Sequence, residues 1–579
     1  MKSLSQLILY MKPYKAIAIL GPLLMCVEVV MDLIQPTIMQ HIIDDGIANN
    51  DNAYVIKLGL LTLLTAFIGL LGGAGCSVFS TKTAVNTATD IRKDIFKKTS
   101  QFSNRNIDTF GVGKLITIVT NDITAIQQAI MVTLKIFVRG PLLFIGSVVI
   151  VWFTARELFP ILLVTIPILI ILIYLFSTAS GKLFVSVQQA IDKVNSKLQE
   201  TFSGIRVIKA FNRGHYEQDT FDIGNDHLTK RNLIAEQVIL TLMPIILLVV
   251  NMSIIFGMWI GAIKVDEGTL QVGVILAFIN YLNIIMNGLM TSSRVLMRIT
   301  RSFTSANRIQ SVLDEEIDIE ETQNLTDSAS LQGHVQFKNV CFSYYKNGED
   351  VIRNVSFHAK SGETIGIIGA TGSGKSTLMK LLPRLYDADS GDILINGMNI
   401  QAYPLKQLRR KIGFIPQTAH LFSGSIADNL RFGKENARLS EMEIAADAAV
   451  ASEFIDTLDG QFEHELMQGA TNLSGGQKQR LSMARAFIRQ PEILIFDDST
   501  SAVDALSEAA IQKTLNEDYK QTTKFIISAK VSSIIHADHI LVIDDGKIEA
   551  QGKHDTLLKT SEVYRDIYAT QSGEVITHE

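Results

Sequence analysis

Apolar residues gather in six long blocks in the first half of the chain, at 16–43, 55–79, 129–153, 158–176, 238–263 and 270–290. A hydrocarbon core about 30 Å thick takes roughly 20 mostly apolar residues per helix, so the pattern predicts six membrane-spanning helices. The first block is too long for a cleavable secretory signal, no small-residue cleavage site follows it, and Glu28 and Asp32 interrupt it, so it reads as a retained anchor. Connections between blocks alternate. The short ones carry acidic residues such as Asp44, Asp45, Asp266 and Glu267, and the long ones carry Lys82, Lys93, Lys97, Lys193, Lys209 and Arg213. Positive charge marks the cytoplasmic side, which places both termini there. The long connections keep helical periodicity, as in 190–200, so the helices are expected to continue well below the membrane. Turn-like patches at 104–110 and 210–216 then fall at the cytoplasmic tips, where they can touch a soluble domain.

From about 333 the pattern changes to short strand-like apolar runs alternating with helical ones and regularly spaced charges. At 579 residues the chain is too long for one core. The expected fold class is multi-domain: an all-α six-helix transmembrane domain over 1–313, an acidic linker over 314–332, and an α/β nucleotide-binding domain over 333–579. The net charge of −5 gives no basic footprint for a phosphate backbone, so no nucleic-acid partner is expected. Cys26, Cys76 and Cys341 have no ligand-like spacing and read as buried thiols.

Chemistry concentrates in the second half. The strand-like run 364–368 leads into Gly369-Ala-Thr371-Gly372-Ser373-Gly374-Lys375-Ser376-Thr377 and then an apolar helix. Glycines let backbone N–H groups close around phosphates at a helix N-terminus, Lys375 reaches the β and γ oxygens, and the Ser376 hydroxyl can ligate Mg²⁺. The strand-like run 493–497 ends in two carboxylates, of which Asp497 would hold the metal through water. Between them, Leu473-Ser474-Gly475-Gly476-Gln477 opens a helix whose free N–H groups can grip a phosphate.

In this order, 369–377, Gln417, 473–477 and Asp497, the sequence resembles the ATP-binding cassette family, and the six preceding helices resemble its exporter branch. The resemblance covers essentially the whole chain. It implies that Tyr344 stacks on adenine (a core tyrosine being the alternative), that Gln417 contacts Mg²⁺ and the cytoplasmic tips, and that the loop 501–504, ending in Asp504, crosses a dimer interface. It also implies two ATP molecules sandwiched between two cassettes, each signature turn completing the other chain's site.

Two positions depart from the family pattern. Asp498 stands where hydrolytic cassettes carry the glutamate base, one methylene longer, and Ala529 stands at the switch histidine. A one-residue gap would put Lys530 there instead. Two losses at one site with an intact signature resemble the degenerate-site subunit of bacterial heterodimeric multidrug exporters, whose partner carries the glutamate and histidine missing here. Within the membrane half, ionisable groups are costly and tend to be functional or paired. Glu28 with Asp32, and Lys135 with Arg139, each lie four apart on one helix face. They read either as ion pairs holding the bundle or as a cation-attracting cavity wall. The expected function is ATP-driven export of amphipathic, cationic small molecules. A lipid or peptide exporter, or an ATP-gated channel or regulatory subunit, are the competing readings.

Overall fold

The computed structural model describes residues 2–319, 332–345, 348–501 and 503–572, with backbone alone at 2 and 292–301. Most of the expected linker, at 320–331, and Ala502 lie outside the described residues. The chain forms two units: Met1–Ser100 with Gly111–Glu315, and Gln101–Phe110 with Glu316–Glu579.

The first unit is helical. Among the described residues six helices are long and apolar enough to cross a membrane. They are α1 (Ser3–Ile47), α2 (Asn52–Ser100), α4 (Val112–Thr154), α5 (Phe159–Ser203), α6 (Gly214–Asp266) and α7 (Val272–Leu313), with the short α3 (Asn104–Phe110) between α2 and α4. Helix is the form that satisfies every backbone group within one segment in hydrocarbon. Each apolar block is only part of its helix. The block at 55–79 lies inside 49 residues of α2, whose remainder carries the charged residues of the first long connection.

Irregularities have local causes. Pro13 sits in a 3-10 stretch, Leu9–Tyr14, within α1. π-helical turns occur at Ile42–Ile47, Ile118–Asp122 and Thr133–Phe137. Met25, Val29 and Leu33 of α1 pack with Leu143 of α4 and with Phe278, Tyr281 and Ile285 of α7 in one buried cluster. Side-chain bonds fix α7 at both ends. Asp44 of α1 accepts from the Gly273 N–H at 2.6 Å, and Asp122 of α4 accepts from Ser305 Oγ at 2.8 Å and Arg308 Nε at 2.7 Å. Helices α5 and α6 pair through Leu169, Ile246 and Val250, with Thr165 Oγ1 and Ser253 Oγ 2.7 Å apart.

The second unit is an α/β cassette. Its main sheet has the order β12-β11-β3-β10-β9-β6 and is parallel except for the edge strand β12. These strands are β3 (Thr364–Ile368), β6 (Ile412–Ile415), β9 (Ile493–Asp497), β10 (Thr523–Ile527), β11 (His539–Asp544) and β12 (Lys547–Gly552), while β7 (Gly424–Ser425) and β8 (Glu465–Leu466) form a separate short antiparallel pair. Strands β9 and β10 are buried at every position, as a parallel sheet covered on both faces requires. A second, antiparallel sheet has the order β2-β1-β4-β5, built from β1 (Val335–Phe342), β2 (Ile352–Ala359), β4 (Ser390–Ile395) and β5 (Met398–Asn399). The helix α3 belongs to this unit.

Candidate functional site

Ligands of open parallel sheets bind beyond the carboxyl ends of the strands. Strands β3, β9 and β10 are adjacent, and register pairs Ile367 with Ile527 and Ile527 with Asp497. The phosphate-type loop, the two carboxylates and Ser528-Ala529 therefore all leave the sheet at one edge. Gly374 has φ +100° and opens α8 (Lys375–Leu381). A Cβ there would lie 2.9 Å from Ile352 Cδ1 and 3.0 Å from the Val351 carbonyl, so glycine is required by conformation and by space.

Inside the loop, Lys375 Nζ donates to the carbonyls of Gly369 (3.0 Å) and Ala370 (2.7 Å). Burial lowers the Lys375 pKa, against the pull of Asp498 and Asp497. Ser376 Oγ donates to Asp497 Oδ1 at 2.5 Å, and burial raises the Asp497 pKa although that bond opposes it. Gln417 Nε2 donates to Asp498 Oδ2 at 3.2 Å, and Gln479 holds the glutamine's loop by donating to the Pro416 carbonyl at 3.0 Å. Among the described residues the buried Ser373 hydroxyl has no partner. Tyr344 is half-buried, with its hydroxyl 2.9 Å from Thr377 Oγ1 and its ring edge-on to Phe342 and Tyr386. The structure thus gathers Tyr344, 369–377, Gln417, Asp497 and Asp498. The donors at Ser376, Asp497 and Gln417 are all oxygens, the set that suits Mg²⁺ completed by substrate phosphates.

Both departures from the family pattern have a defined setting. Asp498 sits at φ +46°, a left-handed conformation that Asp tolerates better than most residues, and its N–H donates to the Ile527 carbonyl at 3.0 Å. Ala529 is exposed, and its carbonyl accepts from Gln571 Nε2 at 2.7 Å. Gln571 also accepts from the Val531 N–H at 2.8 Å, so one C-terminal side chain pins this turn.

Ser474 caps α9 (Gly475–Phe487) in a reciprocal capping box with Gln477. Asp504 caps α10 (Ala505–Glu517), and its bonds from Ser507 hold its carboxyl below the usual range. Among the described residues no hydrogen bond or ion pair joins 474–477 or Asp504 to the loop 369–377. These elements stand apart from their own chain's phosphate loop.

A group of contacts was not readable in the sequence. Arg105 of α3 donates to the Ser343 carbonyl at 2.8 Å and pairs with Asp389 at 3.4 Å. Asp389 accepts from the Ser343 N–H at 2.6 Å, and Asp108 of α3 accepts from the Tyr386 hydroxyl at 2.6 Å. Ser343 precedes Tyr344 in the chain, and Tyr386 packs on it, so the tip helix is bonded to the surroundings of that tyrosine. The patch at 104–110 signalled a tip; nothing marked Asp389 or Tyr386. The second tip, around 210–216, exposes Phe211 and holds Arg213 over the Tyr216 ring at 4.6 Å.

In the membrane half the four ionisable groups come together. Arg139 Nη1 lies 3.2 Å from Glu28 Oε1 and Nη2 3.0 Å from Asp32 Oδ2, while Lys135 Nζ donates to Ser77 Oγ at 2.6 Å.

Comparison with known proteins agrees with this architecture. The profile of the ABC transporter transmembrane region matches residues 18–289, and that of the ABC transporter ATP-binding part, described as "ABC transporter", matches 352–501. The chain is 39% identical over 564 residues to the uncharacterized ABC transporter ATP-binding protein YfiB of Bacillus subtilis, covering 97% of this chain and 98% of that one. It is 33% identical over 567 residues to the uncharacterized Rv1273c protein of Mycobacterium tuberculosis, covering 97% of each. In fold it is similar to a bacterial Atm1-family ABC exporter solved with ATP bound, with a TM-score of 0.78 at 22% identity over 97% of this chain and 99% of that one. Six apolar helices followed by one ATP-binding cassette, matched end to end by such relatives, make this chain a multi-pass membrane protein that belongs to the ABC transporter family as an exporter-type half-transporter.

Proposed function

We propose that the chain is the degenerate-site half of a heterodimeric exporter of amphipathic small molecules, multidrug in type. The observation that carries this reading is the pairing of Asp498 and Ala529 at the rim of an otherwise complete phosphate loop. Tyr344 takes the adenine, and the backbone amides of 369–377 take the phosphates. Lys375 leaves the carbonyls of Gly369 and Ala370 for the β and γ oxygens. Ser376, Gln417 and Asp497 hold Mg²⁺, which when bound neutralises phosphate charge. Asp498 is a short base already engaged by Gln417. Ala529 has no side chain to hydrogen-bond a γ-phosphate, so ATP binds and persists. The N-terminus of α9, with Ser474, Gly475, Gly476 and Gln477, faces the partner's nucleotide, and Asp504 lies at that interface. The partner half-transporter supplies the glutamate and histidine absent here. Both termini lie in the cytoplasm, in keeping with the basic long connections.

A single-turnover assay with radiolabelled ATP tests the site itself. The purified chain should retain unhydrolysed ATP through a gel-filtration column; bound label recovered mainly as ADP would contradict an impaired site.

Closure of the cassettes on ATP reaches the helices through α3. Arg105→Ala removes a charged donor from Ser343 and Asp389, contacts of a kind worth about 1.5 to 3 kcal/mol. Stimulation of ATPase by amphiphiles in the assembled pair should fall about tenfold, with the unstimulated rate kept. Equal loss of both rates would show that Arg105 serves only folding of the cassette.

A further inference from the structure

Four charged side chains in the membrane half take no part in the nucleotide cycle, and each is costly in hydrocarbon. Glu28, Asp32 and Gln35 of α1, Ser77 of α2, and Lys135 and Arg139 of α4 border one cavity of about 360 Å³. That volume lies at the small end of ligand pockets and suits a headgroup rather than a whole drug-sized molecule. Leu70, 66% exposed, lies at its rim and offers an apolar path for a tail. A Cβ on Gly73 would come within 2.6 Å of Glu28 Oε2, so the missing side chain leaves the carboxylate its room.

Charge is unevenly satisfied here. Arg139 is shared between Glu28 and Asp32, and among the described residues Glu28 Oε2 is buried without a partner. Lys135 rests on a neutral hydroxyl and, among the described residues, on no carboxylate. The cavity holds two carboxylates and two cations and carries no net charge. An incoming monovalent cation that takes the unpaired Glu28 oxygen faces Lys135 and Arg139 with nothing to offset them; an incoming anion finds Lys135 but faces both carboxylates. A ligand bearing both signs offsets each repulsion with its other group. Its anionic group replaces the Ser77 hydroxyl as partner of Lys135, and its cationic group pairs with the Glu28 carboxylate, whose unpaired oxygen turns from Gly73 into the cavity.

We propose that this cavity binds zwitterionic amphiphiles through Lys135 and Glu28. The proposal rests on the export of amphipathic molecules argued above and replaces a cationic cargo by a zwitterionic one. The shared chemistry fits a free amphiphile or a bilayer lipid headgroup, and the experiment separates them.

The full-length chain is placed in nanodiscs of phosphatidylglycerol, and its thermal midpoint is followed with decylphosphocholine, decyltrimethylammonium and decyl phosphate, whose shifts convert to affinities. Wild type should bind decylphosphocholine about tenfold more tightly than either singly charged probe. Lys135→Gln should move the preference to decyltrimethylammonium, and Glu28→Gln should move it to decyl phosphate. The shift produced by ATP at the cassette, unchanged in both variants, certifies folding. A headgroup ranking identical in wild type and both variants would overturn the proposal and leave the cluster a structural clamp, with amphiphile export intact. Failure of all three probes to bind wild type or to stimulate the assembled ATPase would instead remove the export reading. Discs containing phosphatidylethanolamine complete the test. Weaker decylphosphocholine binding there, in wild type and not in Lys135→Gln, assigns the site to a bilayer lipid; no change assigns it to a free amphiphile.

Discussion

Asp498→Glu combined with Ala529→His should raise hydrolysis at this chain's own site in the assembled pair about a hundredfold, the lower end of what a positioned acid–base pair contributes. The phosphate loop, Ser376, Asp497 and Gln417 are already assembled, so the deficit is confined to the base and the γ-phosphate contact. Either single change should recover much less, because the two groups act on the same water and phosphate. The glutamate enters a left-handed backbone position that costs most side-chain-bearing residues about 1 to 2 kcal/mol and costs Asp498 less. The histidine enters an exposed turn held by Gln571, where there is room for a ring. Steady-state phosphate release from the double variant assembled with a partner whose glutamate is replaced by glutamine measures the effect; a rate equal to that of the same pair with the parent chain would mean that the defect lies elsewhere in the site.

Ser474→Arg should abolish hydrolysis by the assembled pair, by about a hundredfold or more, the loss typical when one well-placed anion donor is removed. It should leave ATP binding to this chain unchanged. The serine oxygen caps the first turn of α9 and keeps its amides aimed outward, whereas arginine removes the cap, worth about 1 kcal/mol, and fills the approach to Gly475 and Gly476. Ser474→Ala loses the cap alone and should slow the pair only a few fold, in line with that energy. Equal loss of ATP binding and hydrolysis in Ser474→Arg would mean that the turn serves its own chain's nucleotide.

Much of this was legible before any coordinates. Length and apolarity located the six helices because hydrocarbon admits few alternatives. The loop at 369–377 was legible because its chemistry is local: glycines, lysine and hydroxyl follow one another within nine positions, directly after a strand. Spacing of four put Glu28 with Asp32 and Lys135 with Arg139, but only the packing of α1 on α4 reveals that Arg139 bridges both acids while Lys135 turns to Ser77. Arg105 is separated from Ser343 and Asp389 by more than two hundred residues of chain, and no periodicity or motif joins them. Nor does sequence reveal that Asp498 occupies a left-handed turn, where its shorter side chain is the better fit to the backbone and the poorer base.

If this chain owns the weak site of a two-chain exporter, its ATPase activity depends on a partner. ATPase activity is followed for the purified full-length chain alone and together with candidate partner half-exporters encoded in the same genome, each with and without amphiphiles. Activity should be negligible alone, rise strongly with one partner, and rise further with amphiphiles. Robust activity from the chain alone would contradict this, establishing Asp498 as a sufficient base and the homodimer as the working assembly.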